Sequence, residues 1–539
     1  MSLKPTTRLL MVLVCIMLFA SAVLAGCSKD AVNQQPQSGG TENKGEETQS
    51  GGSSDEPVQE EPFKLSIMTI FYPSDKAPEP APEDSPVIQK LEEYTNTDLE
   101  ILWTPSTNYE DKFNVTLASN DMPMVILAPG KTATVISACR NGVFWELGPY
   151  FEEYPNLSQF NPIVLNNISI DGKVYGLYRA RDLGRNGIIY RHDWLQKVGM
   201  NELKTIDDFY TMLKKFTYED PDGDGKDDTF GMVVHQSNYQ FNVSALWFGA
   251  PNGWGENENG ELVPAHLTPE YFEALKWWKK LYDEKLINED FAALDPEKRY
   301  DFIVTEQAGA EIQVCDDAGR LESRFKDAGK SVGTPNTAED VDVRLGIVGA
   351  VEGPKGLRAL PTSGYNLFYL VSKQSVKTED ELKRVLKFFD QLGDREMQDL
   401  LDRGIEGIHY ELVDGKVKPI EGDQRLGAQL SGLNQLLLFV PRNNQTPRVD
   451  TEVRELQTKV IAENEKIVVG NPAEPFISEV YSQKGPQLDQ IIEDARVQFI
   501  VGQIDEQGWK DAIEQWRKLG GDDYIKEIND LYKKANTNQ

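Results

Sequence analysis

The sequence predicts an α/β protein divided into lobes and carried behind a removable leader. Three observations point there. From residue 63 to residue 127 the apolar spacing switches between period two and period 3.6, giving strand, helix, strand, helix, strand, the pattern of a mainly parallel sheet with covering helices. The chain has 539 residues, past the roughly 250–300 at which a single hydrophobic core stops growing, so two or more lobes are expected. The chain opens basic and then turns apolar, the order of a secretory signal.

Each element follows from local chemistry. Lys4 and Arg8 precede an apolar run over residues 9–25 that is too short and too one-sided for a stable span. It ends Leu24, Ala25, Gly26, Cys27, which resembles the bacterial lipobox. Small residues let a peptidase reach the backbone, and the Cys27 thiol is the local nucleophile able to take a diacylglycerol. An ordinary secretion signal with a chance cysteine is the alternative. Residues 27–62 are Gly-, Ser-, Gln- and Glu-rich without an aromatic, so they read as a disordered tether. Such a tether has a reach of roughly 30 Å.

The body starts with a strand at 63–70. Ser85 and Pro86 then supply a helix cap and first turn, and Val87, Ile88, Leu91 and Tyr94 form one helical face. A strand at 99–103, a helix at 109–118 and a buried strand near 124–127 complete the first unit. Further on come strands at 175–177 and 187–190 and a short helix at 193–195. Thr205 caps a helix with Ile206, Phe209, Tyr210, Leu213 and Phe216 on one face. Thr268 and Pro269 open another that runs to about Glu284, and the chain closes in helical patterns from 450 onward.

Composition excludes several functions. Lys and Arg number 56 against 87 Asp and Glu, a formal net charge of −31. That disfavours nucleic acid and charge-driven adsorption to an anionic membrane. Hydrophobic residues at 39% and charged residues at 27% exclude a multi-span membrane protein. Four cysteines give no disulfide scaffold or zinc spacing, and His192, His235, His266 and His409 are too scattered for a metal site. Cys139 and Cys315 either pair or stay as two buried thiols.

One loop carries metal chemistry in its own residues. Asp220, Asp222, Asp224 and Asp228 stand at positions 1, 3, 5 and 9, Gly225 at position 6 permits the turn, and Lys226 at position 7 offers its carbonyl. This is half of an EF-hand pattern, and it predicts a structural Ca²⁺. Position 12 is Gly231 rather than a bidentate Glu, so the Thr229 hydroxyl, a remote carboxylate or water must finish the shell. A metal-free Asx turn is the alternative.

The order of these segments resembles the extracellular solute-binding proteins of family 1, the lipid-anchored sugar-binding receptors of bacterial ABC importers. The resemblance rests on the lipobox, residues 175–177 and 190–199, Thr205 to Phe209, the Asp loop, residues 248–254, and the closing 508–521 stretch around Trp509 and Trp516. It implies a two-lobed periplasmic-binding-protein-like fold of type II, with a sheet flanked by helices in each lobe and a hinge between them. Lobe one is expected at 63–165 plus 345–395, and lobe two at 166–340 plus 396–539. It further implies a monomer on the extracellular face of the cell membrane of a Gram-positive cell, capturing an oligosaccharide for a permease, with some relatives holding Ca²⁺ in the equivalent loop.

A sugar needs an aromatic plate and a polar rim. Trp247 and Trp254 sit in a Gly- and Pro-rich stretch, Tyr72 follows the first strand, and Tyr365 lies near an expected crossover. For each, core packing is the alternative. Arg179 heads a cluster with Arg181, Arg185 and Arg191. Such forks suit a uronate carboxylate, or ion pairing with the chain's own acids. The competing functions are a surface lipoprotein carbohydrate-active enzyme, which needs two facing carboxylates, and a receptor for peptides or another non-sugar solute.

Overall fold

A computed structural model describes residues 61–73, 78–119, 121–420, 424–438 and 444–537. The leader, Cys27 and the tether up to residue 60 lie outside the described residues.

Besides a hairpin at Tyr410–Val413 and Lys416–Pro419, the strands run, in chain order, Phe63–Phe71 (β1), Thr97–Pro105 (β2), Val125–Ala128 (β3), Gly176–Ala180 (β4), Asn186–Arg191 (β5), Phe230–Met232 (β6), Trp254–Glu256 (β7), Leu262–Pro264 (β8), Ala308–Val314 (β9), Val332–Gly333 (β10), Val343–Val348 (β11) and Tyr365–Val371 (β12). They build two five-stranded sheets, ordered β2-β1-β3-β12-β4 and β10-β11-β5-β9-β6, and β7 and β8 form a separate hairpin. In the first sheet β1 is parallel to β2 and β3, while β12 is antiparallel to β3 and β4. In the second, the edge pairs β10–β11 and β6–β9 are parallel and β5 is antiparallel to both neighbours. The expected parallel pairing thus holds away from β12 and β5. Each of those two strands enters its sheet from the other lobe, and so runs against its neighbours.

Helices cover these sheets for the reasons their ends display. Pro86–Thr95 starts where the Ser85 hydroxyl accepts the Val87 amide at 3.3 Å, and Val87, Ile88 and Leu91 are buried on the sheet. Ile206–Tyr218 opens with a capping box, in which Thr205 and Asp208 each satisfy the other's backbone amide. Its buried stripe of Phe209, Met212, Leu213 and Phe216 packs into the second core. At roughly 1.5–3 kcal/mol for each fully buried large apolar side chain, that stripe outweighs intrinsic propensity.

The lobes exchange chain at points other than those expected. β4 pairs within the first sheet, so residues 166–180 belong to lobe one. β11 pairs with β5, so 345–348 belong to lobe two. Met397, Leu400, Leu401, Leu433 and Leu436 are buried in the first core, which carries lobe one on to Leu438, whereas Val453, Val460 and Ile461 are buried beneath the second sheet. The crossings are therefore 181–185, 349–364 and the connection after Leu438. The first crossing is pinned by Asn464, whose Nδ2 donates to the carbonyls of Gly184 and Asn186, both at 2.8 Å. A Cβ on Gly349 would collide with the same Asn464 side chain, so the second crossing needs glycine for close approach.

Both crossings leave from facing edges. β1, β3 and β4 end, and β12 begins, on one edge of sheet one. β5 begins beside the ends of β9 and β11 on one edge of sheet two. In open α/β sheets this is where ligands are held.

An interlobe cavity and an aspartate loop

A cavity of about 1680 Å³ lies between the lobes. Lobe one contributes Ala180, Asp402, Arg403 and Lys416, and lobe two Arg299, Asp316, Arg320, Arg324, Arg454 and Lys459. Arg181, Asp182 and Arg185 reach it from the first crossing, and Arg448 from the third. Ten basic and seven acidic side chains line it, and just behind them Glu311, Asp317 and Asp399 pair with Arg299, Arg320 and Arg403.

Part of that charge is already matched. Arg185 Nε lies 2.5 Å from Asp316, Lys416 Nζ 3.0 Å from Glu455, and Arg448 3.3 Å from Asp402. Arg320 pairs with the buried Asp317, which also binds Arg299. Arg324 stacks over the Tyr300 ring at 4.1 Å. The charged ends of Arg181, Arg454 and Lys459 have no partner among the described residues. Burial, and then the nearby Arg185 charge, push the Arg181 guanidinium below its ordinary range, the sense expected where positive charge is crowded.

The sequence-derived ligand candidates separate into two groups. Trp247 is fully buried, edge-on to Phe209 at 5.8 Å, and so packs in the second core instead of facing a ligand. It ends the Tyr239–Trp247 helix, whose residues are almost all buried, and the Gly- and Pro-rich loop begins only after it. Trp254 is 6% exposed and T-shaped against Tyr524 at 5.0 Å, in a side cluster with Leu262, Ala473 and Ile528 away from the cavity. Tyr72 does stand at the end of β1, 49% exposed. Tyr365 opens β12, edge-on to Phe368 at 6.0 Å. Arg179, on β4, has Nε and Nη1 buried without a hydrogen-bond partner among the described residues. Its cluster divides: Arg191 binds Asp193 and Glu306, Arg185 binds Asp316, and Arg179 and Arg181 have no ion-pair partner among the described residues.

Arg320, Arg324, Arg403, Arg448 and Arg454 were not expected at a site. A local signal existed for two of them, since Arg320 and Arg324 lie one helical turn apart in Asp317–Asp327. Cys139 and Cys315 do not pair; both are free and buried, in different cores.

The aspartate loop gathers three of its four carboxylates. Oxygens of Asp220, Asp222 and Asp224 lie within 4.8 Å of one another, and Asp228 stands outside that group. Positive φ at Asp220, Gly223 and Gly225 makes the turn. Asp220 accepts the amides of Gly223 and Gly225, both at 3.1 Å. Burial, and next the Asp220 side chain, raise the Asp222 carboxyl above its usual range, as crowding of like charges requires. The Lys226 ammonium lies on Asp224, and the Thr229 hydroxyl donates to Phe216 O at 2.8 Å, so Thr229 is already engaged. Three converging carboxylates, one of them paired with Lys226, suit a hard divalent cation bound largely through oxygen.

The family profile described as bacterial extracellular solute-binding protein matches residues 74–398. Lipoprotein LipO of Bacillus subtilis (strain 168) is 44% identical over 466 residues, 85% of this chain and 91% of that protein. The polygalacturonan/rhamnogalacturonan-binding protein YtcQ of the same organism is 33% identical over 539 residues, covering 97% of this chain and 98% of YtcQ. In fold, the chain superimposes with a TM-score of 0.64 on a solute-binding protein of Bifidobacterium longum infantis described as HMO-binding, at 17% identity over 87% of this chain and 98% of that one. With its profile match, its full-length relatives and two lobes facing a cavity, the chain belongs to the bacterial extracellular solute-binding proteins.

Proposed function

We propose that this protein captures an oligosaccharide between its lobes outside the cytoplasmic membrane and delivers it to the permease of an ABC importer, making and breaking no bond. The observation that carries the reading is the cavity itself: residues of both lobes and of the crossing segments between the two sheets line a space of about 1680 Å³. That exceeds the roughly 300–1,000 Å³ of a small-molecule pocket, which suits an oligomer over a single sugar. The name of YtcQ supports the saccharide class. A glycan panel read by thermal shift, with the sugars analysed afterwards, tests it. Stabilisation with intact sugars is expected. Shortened products would instead make the protein an enzyme, and stabilisation by peptides alone would make it a peptide receptor.

Cys27 carries the lipid anchor in this reading, on the extracellular face of a Gram-positive membrane. The Cys27→Ala chain should leave the membrane fraction for the medium, and retention would count against the anchor.

Calcium belongs to the same reading, as a clamp on the aspartate loop held by Asp220, Asp222 and Asp224 with the Lys226 carbonyl and water. At a hundredfold excess over its Kd, a cation that binds only the folded chain adds about 2.7 kcal/mol. Calcium should therefore raise the melting temperature of the wild type, and the Asp222→Ala, Asp224→Ala chain should lose that gain. An unchanged wild-type melting curve, with no calcium found by elemental analysis, would remove the metal from the account.

A further inference from the structure

Lobe two holds a second cavity, of about 480 Å³, that shares no lining residue with the interlobe space. It lies between the turn after β6, the start of the Tyr239–Trp247 helix and the helix Glu479–Ile500. Its floor is apolar and buried, made by Phe241, Trp278, Phe291 and Ile500. Two opposite charges enter it from the Glu479–Ile500 helix. Arg496 is only 6% exposed, yet it has no hydrogen-bond or ion-pair partner among the described residues. Its guanidinium rests over the Phe241 ring, with Cζ 5.2 Å from the centroid. Glu493 stands three residues earlier, a spacing that sets two side chains next to each other on a helix surface. Elsewhere in this chain the same spacing closes into ion pairs, as in Lys276 with Glu273 and Arg320 with Asp317. Here it does not. The Asn238 amide donates to the Glu493 carboxylate and holds it on one side, while the Phe241 ring holds the guanidinium on the other. The other titratable groups of the lining do not answer Arg496. Asp494 lies on the exposed rim and accepts Gln490 Nε2 at 2.7 Å, and burial, with the Arg299 charge next, keeps His235 below its ordinary range and so neutral. A buried guanidinium without an acceptor is costly, so the arrangement is explained by a solute that supplies one.

We propose that this cavity is a second ligand site, separate from the interlobe space, and that it takes a free α-amino acid with an apolar side chain. The carboxylate binds Arg496, the ammonium binds Glu493, and the side chain lies on the floor against Phe241 and Phe291. An α-amino acid carries its two opposite charges on one carbon, which matches a cation and an anion held apart on one helical turn. A planar guanidinium takes a carboxylate through two parallel hydrogen bonds. The volume falls within the roughly 300–1,000 Å³ of small-molecule pockets.

The test uses the full chain, calorimetric titration and three probes: L-phenylalanine, L-phenylalaninamide, which lacks the carboxylate, and 3-phenylpropionate, which lacks the ammonium. Phenylalanine should bind. Each of the other two should bind about tenfold or more weakly, because each lost charge-assisted pair costs a factor of that order. Arg496→Gln should weaken phenylalanine by a similar factor. That side chain also packs on Phe241, so Glu493→Gln gives an independent reading: it keeps an acceptor for Asn238 and removes only the charge. It should weaken phenylalanine about tenfold and leave phenylpropionate no weaker than before. Equal binding of all three probes would show an apolar pocket that does not read charge, and would overturn the assignment. So would phenylalanine binding that neither variant changes, or a failure of both L-phenylalanine and L-leucine to bind at millimolar concentration. Displacement of bound phenylalanine by a saccharide that occupies the interlobe cavity would place both solutes in one site and overturn the second one. None of these results bears on saccharide capture.

Discussion

Trp247→Ala should destabilise the protein by about 3–5 kcal/mol while leaving the saccharide affinity of the folded fraction unchanged. The side chain is fully buried at the end of its helix, edge-on to Phe209, which itself lies against Trp277 at 6.1 Å. Truncation to alanine removes the largest apolar surface at that point and leaves a cavity the surrounding rings cannot fill. Its indole Nε1 has no hydrogen-bond partner among the described residues, so the loss is one of packing and not of a polar contact. Denaturant unfolding and calorimetric titration, run on the same material, separate the two quantities. A stability loss below about 1 kcal/mol together with weakened sugar binding would return Trp247 to the ligand and contradict the packing.

Arg299→Ala should cost about as much, by another route. Arg299 Nε lies 3.1 Å from Glu311, and its Nη2 contacts Asp317 and donates to the Tyr300 hydroxyl at 2.7 Å. Both carboxylates have fully buried side chains. Removing the guanidinium leaves the buried Glu311 without an ion-pair partner among the described residues and leaves Asp317 with Arg320 and the Tyr300 hydroxyl, with a penalty of about 3–5 kcal/mol. The loss should also depend on pH. Burial pushes the Glu311 carboxyl up to about 7, and Arg299 is the chief influence drawing it down, so without Arg299 it rises further. The folded chain then holds this proton more tightly than the unfolded chain does. The resulting stability is present below the unfolded value and is lost as pH rises through the folded one. The variant should therefore lie closer to wild type at pH 5 than at pH 8. A constant difference between the two curves would show that Glu311 does not titrate in this range. Because Arg299, Tyr300, Arg320 and Arg324 also line the cavity, the same network fixes the wall on which a solute rests.

The physics of legibility is visible in particular residues. β1, the Ser85 cap, the Thr205 capping box and the Pro269 helix start could be read because each depends on neighbours in sequence. The aspartate loop could be read for the same reason, being nine contiguous residues. The crossings could not. β4 and β5 have the same apolar character and are five residues apart, and only strand pairing shows that they lie in different sheets. The family order placed the first exchange near residue 165, whereas the chain stays in lobe one until Ala180. Trp247 misled because glycine and proline follow it, while the helix that buries it precedes it. The interlobe cavity was the least legible feature. Its ten basic residues come from seven segments between 181 and 459, and they meet only when the fold brings them to one place.

The central claim is that two lobes close on an intact saccharide. Small-angle X-ray scattering of the full chain, with and without a saturating saccharide and with the sugar recovered afterwards, measures it directly. The account predicts a smaller radius of gyration in the bound state and a sugar recovered at its original length. A bound state as extended as the free one, or a shortened sugar, would contradict it.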